Sequence, residues 1–313
     1  MQNAVTDRVL DGCDRRHGHA VDARPPREWV RGAAMPVSWR ALGLEAMASL
    51  LIVSLSRLSS RCFAARCQWP RLHPLNERTL TAVPHHPLIM VESTRQLARA
   101  LELDQPSAAG TAPLEAVSVS LGLQLRALPV ERGSATDVSV RMRVSDLSTQ
   151  AGHLLAHRVT AEYLHAGQPF GTCTMRLTRS AGTAPPPEEA MRSGLLHPSA
   201  AAVGAAAEGD VMLARAPQGR LVIAPRDRRH PEFLAGRPAH LPLAAVLEAG
   251  RQAVLLDSGM TAAAVIGLRA DVCAPVPSRG AHIETRSDPG GCRYLVTFAG
   301  RPCATGAVTL LRP

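Results

Sequence analysis

Glu248-Ala-Gly-Arg251-Gln252 is a second writing of Glu92-Ser-Thr-Arg95-Gln96. In each copy Glu, Arg and Gln stand at i, i+3 and i+4, the spacing that gathers side chains on one side of a helix. The flanks are apolar, Leu88 to Val91 before the first and Leu243, Val246 and Leu247 around the second. A carboxylate and a guanidinium on such a helix are costly unless they pair or work. Each helix is announced by His and then Pro, as His85-His86-Pro87 and His240-Leu241-Pro242. Proline suits a first helical turn, where its missing N–H is not needed.

The likeness extends outward from the helices. Arg71-Leu72-His73-Pro74 answers Arg229-His230-Pro231, and Ala166-Gly167-Gln168-Pro169 answers Ala299-Gly300-Arg301-Pro302. Glu248 follows Glu92 by 156 residues while Ala299 follows Ala166 by 133, so the second copy is shorter between helix and last hairpin. A period this long signals a duplicated domain, since solenoid repeats run to roughly 20–50 residues. The expected organisation is residues 1–40, polar and without an apolar period, as a disordered or over-extended N-terminus, a first domain at 41–182, an Ala/Pro/Glu-rich linker at 183–207, and a second domain at 208–313.

Within that plan the pattern predicts strands near Phe63–Trp69, Val117–Arg126, Val138–Val144, Leu154–Leu164 and Phe170–Thr178, with the helix over about Pro87–Leu101. The second unit predicts a hairpin at Met212–Ala216 and Gly219–Ala224, a helix over Pro242–Leu256, and strands at Ala281–Arg286, Arg293–Phe298 and Cys303–Leu311. Met47–Leu55 is apolar but far short of the about 20 residues that cross a bilayer, and reads as an early strand or core helix. One long helix and then antiparallel hairpins, written twice, is an α+β pattern in which each half is an antiparallel sheet wrapped around a central helix. That is a double hot-dog.

Composition narrows the chemistry. All 35 basic residues are Arg, which excludes Schiff-base and P-loop lysines. The net charge of +9 comes with only 3% aromatic residues and no dense basic run, so an anionic substrate or an acidic carrier protein fits better than nucleic acid. The seven cysteines are Cys13, Cys62, Cys67, Cys173, Cys273, Cys292 and Cys303. They make no Cys-x-x-Cys, which disfavours zinc and a disulfide framework and suits free thiols in the cytoplasm. No metal, cofactor or membrane association is expected.

Gln68-Trp-Pro-Arg71, His85-His-Pro-Leu88 and Glu92-Ser-Thr-Arg-Gln96, followed by His230-Pro231, His240-Leu-Pro242 and Leu247-Glu-Ala-Gly-Arg-Gln-Ala253, together resemble the A-factor biosynthesis (AfsA) family over residues 42–313. The resemblance implies tandem hot-dog domains and condensation of a β-ketoacyl group, carried on acyl carrier protein, with the hydroxyl of dihydroxyacetone phosphate in γ-butyrolactone biosynthesis. It places the work on Glu92, Glu248 and Arg251. Where that family writes Asp-His-x-Pro-Gly, this chain has Ala239-His240-Leu241-Pro242-Leu243.

Acyl transfer needs a base near the attacking hydroxyl and donors aimed at the oxyanion. Glu248 is the candidate base, Arg251 would hold a phosphate or orient that carboxylate, and a helix N-terminus would supply N–H groups. His240 joins the catalytic candidates, and Arg95, Gln96, Gln252, His85 and His230 those for substrate binding. The same residues also suit plain structure: i,i+3 ion pairs for the Glu–Arg couples, backbone satisfaction for the glutamines, turn contacts for His73 and His230. His-Pro with Glu-Ala-x-x-Gln further echoes hot-dog dehydratases, in which a His and a carboxylate from opposite units share a site. A dehydratase or thioesterase, or a non-catalytic acyl- or lactone-binding module, therefore stays open. The oligomeric state is not readable from the sequence.

Overall fold

The computed structural model describes residues 34–35, 37–76, 83–103, 113–131, 135–150, 153–179, 194–234, 240–261, 263–288 and 291–311. The expected extension at 1–40 lies almost wholly outside these residues, as do the first part of the expected linker and Ala239.

Alternation builds the sheet. In the strand Thr136–Gln150 every second residue from Thr136 to Val144 is buried, while Asp137, Ser139, Arg141 and Arg143 face outward. The strands are β1 (Ala34–Met35), β2 (Ile52–Arg57), β3 (Cys62–Trp69), β4 (Val83–Pro84), β5 (Leu114–Leu123), β6 (Val130–Glu131), β7 (Thr136–Gln150), β8 (His153–His165), β9 (Gln168–Arg179), β10 (Leu213–Arg215), β11 (Leu221–Ile223), β12 (Ala264–Val272), β13 (His282–Asp288), β14 (Gly291–Phe298) and β15 (Arg301–Leu311). All but β4 and β6 join one 13-stranded sheet in the order β1-β2-β3-β7-β8-β9-β5-β12-β15-β14-β13-β11-β10. Every pairing in it is antiparallel.

Counted outward from the β5–β12 pair, the two halves of the sheet have the same plan. Each begins with the strand that follows a helix (β5 or β12), then the last strand of its half (β9 or β15), then its two predecessors, then the short hairpin that precedes the helix. The hairpins β8–β9 and β14–β15 turn on the same dipeptide. Ala166-Gly167 and Ala299-Gly300 both take positive φ at each residue, 49° and 80° in the first and 48° and 73° in the second. That is the twist a two-residue hairpin turn requires, and glycine adopts it without steric cost.

Two helices, α1 (Leu88–Leu103) and α2 (Leu243–Ser258), bury their apolar residues on this sheet. α1 packs on β2, β5, β8 and β9, α2 on β5, β10, β12, β13, β14 and β15, and the helices touch each other. Leu88, Ile89, Leu97, Val246, Leu247 and Ala253 belong to one continuous core with Trp69, Tyr163, Phe170, Phe233 and Val296. Fully burying such side chains stabilises by about 1.5–3 kcal/mol each, which is why both helices lie inward.

Three departures from the sequence reading stand out. Residues 47–49 form a short 3-10 turn ahead of β2, so Met47–Leu55 is neither wholly strand nor helix. β12, at the centre of the sheet, falls in a stretch for which the pattern predicts no element. Cys62 is disulfide-bonded, whereas Cys67, Cys173, Cys273, Cys292 and Cys303 are free thiols, so the expectation of free thiols throughout is corrected at that position. Among the described residues no helix is long and apolar enough to cross a membrane, and no group of His, Cys, Asp and Glu is placed to hold a metal ion.

Candidate functional site

The repeated five-residue signatures make the same hydrogen bonds twice. On α1, Arg95 grips Glu92 with two bonds, Nε to Oε2 and Nη2 to Oε1, both 2.7 Å. On α2, Arg251 grips Glu248 in the same way, at 2.8 and 2.6 Å. Gln96 Nε2 donates to Glu92 Oε1 and to the carbonyl of Ser49, and its Oε1 accepts the Leu51 N–H. Gln252 repeats this with Glu248 Oε1, the Asp210 carbonyl and the Met212 N–H. The glutamines thus tie each helix to the loop entering its own half of the sheet, and satisfy backbone groups that would otherwise be buried unpaired.

Histidines complete a polar seam between the helices. His86, just ahead of α1, accepts the Leu88 N–H at Nδ1 (3.3 Å) and points Nε2 at Glu248 Oε2 of α2, 3.7 Å away. His73 accepts the Leu75 N–H at Nδ1 and points Nε2 at Glu232 Oε2, also 3.7 Å away. His230 accepts the Glu232 and Phe233 N–H groups at Nδ1 and meets Asp210 Oδ1 through Nε2 at 2.9 Å. A ring that accepts at Nδ1 carries its neutral-state proton on Nε2, so all three present an N–H to a carboxylate.

Burial pushes the His86 and His73 rings down to about 4, against the pull of Glu248 on the one and Glu92 on the other. Both rings are neutral at pH 7. Burial alone would raise the Glu248 carboxyl, but the Arg251 charge and hydrogen bonds, with His86 and Gln252, outweigh it and hold it below its ordinary value. Glu232 goes the other way. Burial and the nearby Glu92 carboxylate lift it to about 7.

The structure therefore brings together Glu92, Arg95 and Gln96 on one side, and Glu248, Arg251, Gln252 and, through Asp210, His230 on the other. His85 and His240 lie apart. His85 meets Asn76 at Nδ1 and Thr136 at Nε2 and stands edge-on to Trp69, within its own half. His240 is partly exposed and faces Glu115 Oε2 at 3.6 Å. The seam instead recruits His86, the neighbour of His85, and Glu232. A mark of Glu232 was visible in the sequence: Arg71-Leu72-His73-Pro74 is followed by Leu75, whereas Arg229-His230-Pro231 is followed by a carboxylate.

The first turn of α1 has little to offer an oxyanion, since the Ile89 and Met90 N–H groups donate to His86 O and Pro87 O. In α2, Ala245 and Val246 both donate to Pro242 O, leaving Leu243 and Ala244 at the start of that helix.

No family model matches the chain and no curated protein matches it. Solved structures do overlap with it. The dehydratase domain from the CurF module of the curacin polyketide synthase shares 11% identity, with a TM-score of 0.49 over 85% of this chain and 99% of that one. A structure described for dehydratase substrate selection in the borrelidin and fluvirucin polyketide synthases shares 17% identity, with a TM-score of 0.45 over 88% and 97%. The 12:0-ACP thioesterase from Umbellularia californica shares 8% identity, with a TM-score of 0.45 over 80% and 94%.

Proposed function

We propose that the protein hydrolyses an acyl thioester at the seam where His86, ahead of α1, faces Glu248 of α2. The observation that carries this reading is that 3.7 Å approach of a neutral Nε2–H to an ionised carboxylate from opposite halves of the sheet. Those protonation states suit hydrolysis. Glu248 accepts a proton from the attacking water as its oxygen bonds to the thioester carbonyl carbon, and the His86 N–H steadies the oxygen that gains charge. Collapse breaks the C–S bond, and the thiolate takes the proton back. Arg251 and Gln252 act as positioning residues that fix the carboxylate.

Dehydration would require the opposite states, a free imidazole lone pair and a protonated carboxyl. The condensation implied by the AfsA resemblance needs a cation for the acceptor's phosphate. Both guanidinium groups are already bidentate on carboxylates, and Arg251 also donates to Gly204 O. The same proposal includes the duplicated organisation, two hot-dog units at 41–182 and 208–313 joined by 183–207, with the carrier-linked acyl group as the natural donor.

The test is thiol release from decanoyl-N-acetylcysteamine. His86→Ala and Glu248→Gln are each expected to lower kcat/KM by about 10²-fold or more. An unaltered rate in both variants, an enoyl product from the 3-hydroxyacyl thioester, or an ester formed only with dihydroxyacetone phosphate present would replace this reading.

A further inference from the structure

The loops that enter the two halves of the sheet are superposable in sequence. Ser49 and Leu51 receive Gln96 as Asp210 and Met212 receive Gln252, each 161 residues apart, and both loops carry a three-residue 3-10 turn, Met47–Ser49 and Glu208–Asp210. The same offset pairs Met47 with Glu208. The 157-residue offset from His73 to His230 pairs Leu72 with Arg229. Met47 is 70% exposed and Leu72 is 74% exposed, while Glu208 and Arg229 are ordinary charged surface residues, Glu208 paired with Arg226.

These two apolar side chains stand beside a polar group that lacks a partner. Leu72 precedes His73, whose Nε2 is fully buried, aims at Glu232 and makes no hydrogen bond. Met47 is two residues from Ser49, whose Oγ donates to Glu232 Oε1 at 3.3 Å, and that is the one hydrogen bond to this carboxyl among the described residues. Two residues of chain reach about 7 Å, so each apolar residue lies within that reach, along the chain, of a residue that faces Glu232. A buried N–H without an acceptor destabilises the fold and gains from any acceptor that reaches it. A scattered exposed apolar side chain needs no explanation, but one near each residue that faces Glu232, at a position charged in the other copy, does.

We propose that the α1 side holds a second ligand site, for a neutral carbonyl head on a medium-length acyl chain, with the head oxygen on His73 Nε2–H and the chain across Leu72 and Met47. A free carboxylate head is disfavoured, because Glu92 and Glu232 already face the site. Glu232, held by one long hydrogen bond, is free to swing aside. The acyl class of the ligand rests on the hydrolytic reading above, whereas the site itself is separate from His86 and Glu248.

The probe is the amide analogue of decanoyl-N-acetylcysteamine, which is not turned over, with binding followed by calorimetry at pH 8. Met47→Glu combined with Leu72→Arg writes the second copy's residues into the first, at exposed positions that leave the core untouched. This variant is expected to bind at least tenfold more weakly than wild type. Leu196→Glu, at another exposed leucine, is expected to bind as wild type does, the tenfold difference made by the double variant is expected to persist in a His86→Ala background where the seam's own contact to the probe is lost, and decanoate is expected to bind at least tenfold more weakly than the amide. No binding by wild type, unaltered binding by the double variant, or equal binding of decanoate would overturn the proposal. Binding without turnover would sink hydrolysis alone, and turnover with no effect of the double variant would sink this site alone.

Discussion

α1 and α2 carry the same triad with the same internal bonds, yet one triad is closed and the other open. Arg251 is nearly sealed, with 6% of its side chain exposed, because residues 201–204 lie over α2 and Gly204 O takes its second Nη2 bond. Arg95 has 38% of its side chain exposed. A duplicated motif can therefore have its guanidinium covered in one place and exposed in the other, while Glu248 still faces the His86 seam, and the covering segment, not the motif, decides which. The sharpest way to break that contrast is Arg251→Met. It leaves the buried Glu248 with Gln252 as its remaining close donor, and the expected loss is about 3–5 kcal/mol in urea unfolding. A loss below about 1 kcal/mol would mean that the α2 triad is as wet as the other.

The acids facing the two triads differ as well. Asp210 meets His230 in a normal hydrogen bond, whereas Glu232 faces His73 across a gap, close to Glu92. With its folded value raised to about 7 from 4.5, Glu232 holds a proton in the folded state that it has lost in the unfolded one. Its contribution is fully present below about pH 4.5 and is lost as pH rises through 7. His73 and His86, lowered from 6.5 to about 4, run oppositely, since their share is lost as pH falls. The wild-type profile is a sum of opposed slopes, so the clean measurement is a difference. Glu232→Gln relative to wild type is expected to gain stability between pH 4.5 and 7, by up to roughly 3 kcal/mol, and to match its slope outside that window. A flat difference would show that Glu232 is solvated.

How each helix seats on its sheet is a third contrast. Thr94 Oγ1 donates to Met90 O and meets Tyr163 OH. The matching position on α2 is Gly250, where a Cβ would overlap the ring of Tyr294, whose hydroxyl donates to Arg269 O. A tyrosine thus approaches both helices, held by a hydroxyl in one and by the lack of a side chain in the other. Gly250→Ala should cost about 1–3 kcal/mol through overpacking, and Thr94→Ala about 0.5–1.5 through a lost hydrogen bond. Reversal of that order in thermal unfolding would mean that Tyr294 has room to move.

Much of this was legible in the residues because the signals were local. The helical spacing of Glu, Arg and Gln, the alternation of Val138–Val144 and the doubled Ala-Gly turns each depend on near neighbours. β12 was not legible. It is flanked by strands on both sides, carries Val265, Ile266 and Leu268 with Gly267 and Ala270 among them, and so shows no clean two-residue period. Which histidine reaches the seam was not legible, for a related reason. His85 and His86 adjoin in sequence, but one turns into its own half to Thr136 and the other across to Glu248, and only the tertiary fold decides which. Glu232 and the covering by Gly204 are likewise long-range facts.

The smallest expected effect falls on the matching guanidinium. Arg95→Met removes the same bidentate grip as Arg251→Met, from a carboxylate that keeps its bond from Gln96 Nε2. Because more than a third of the Arg95 side chain meets solvent, water can replace its donors at Glu92, and a partly exposed ion pair contributes about 1 kcal/mol or less. Methionine retains much of the aliphatic stem that packs beside the helix, so little apolar contact is lost. Raising ionic strength should shrink the difference further, since screening acts on solvent-facing pairs and hardly on buried ones. Urea unfolding of Arg95→Met at low and high salt measures both quantities. A loss near that of Arg251→Met, insensitive to salt, would show that the α1 triad is closed in solution and remove the contrast between the two helices.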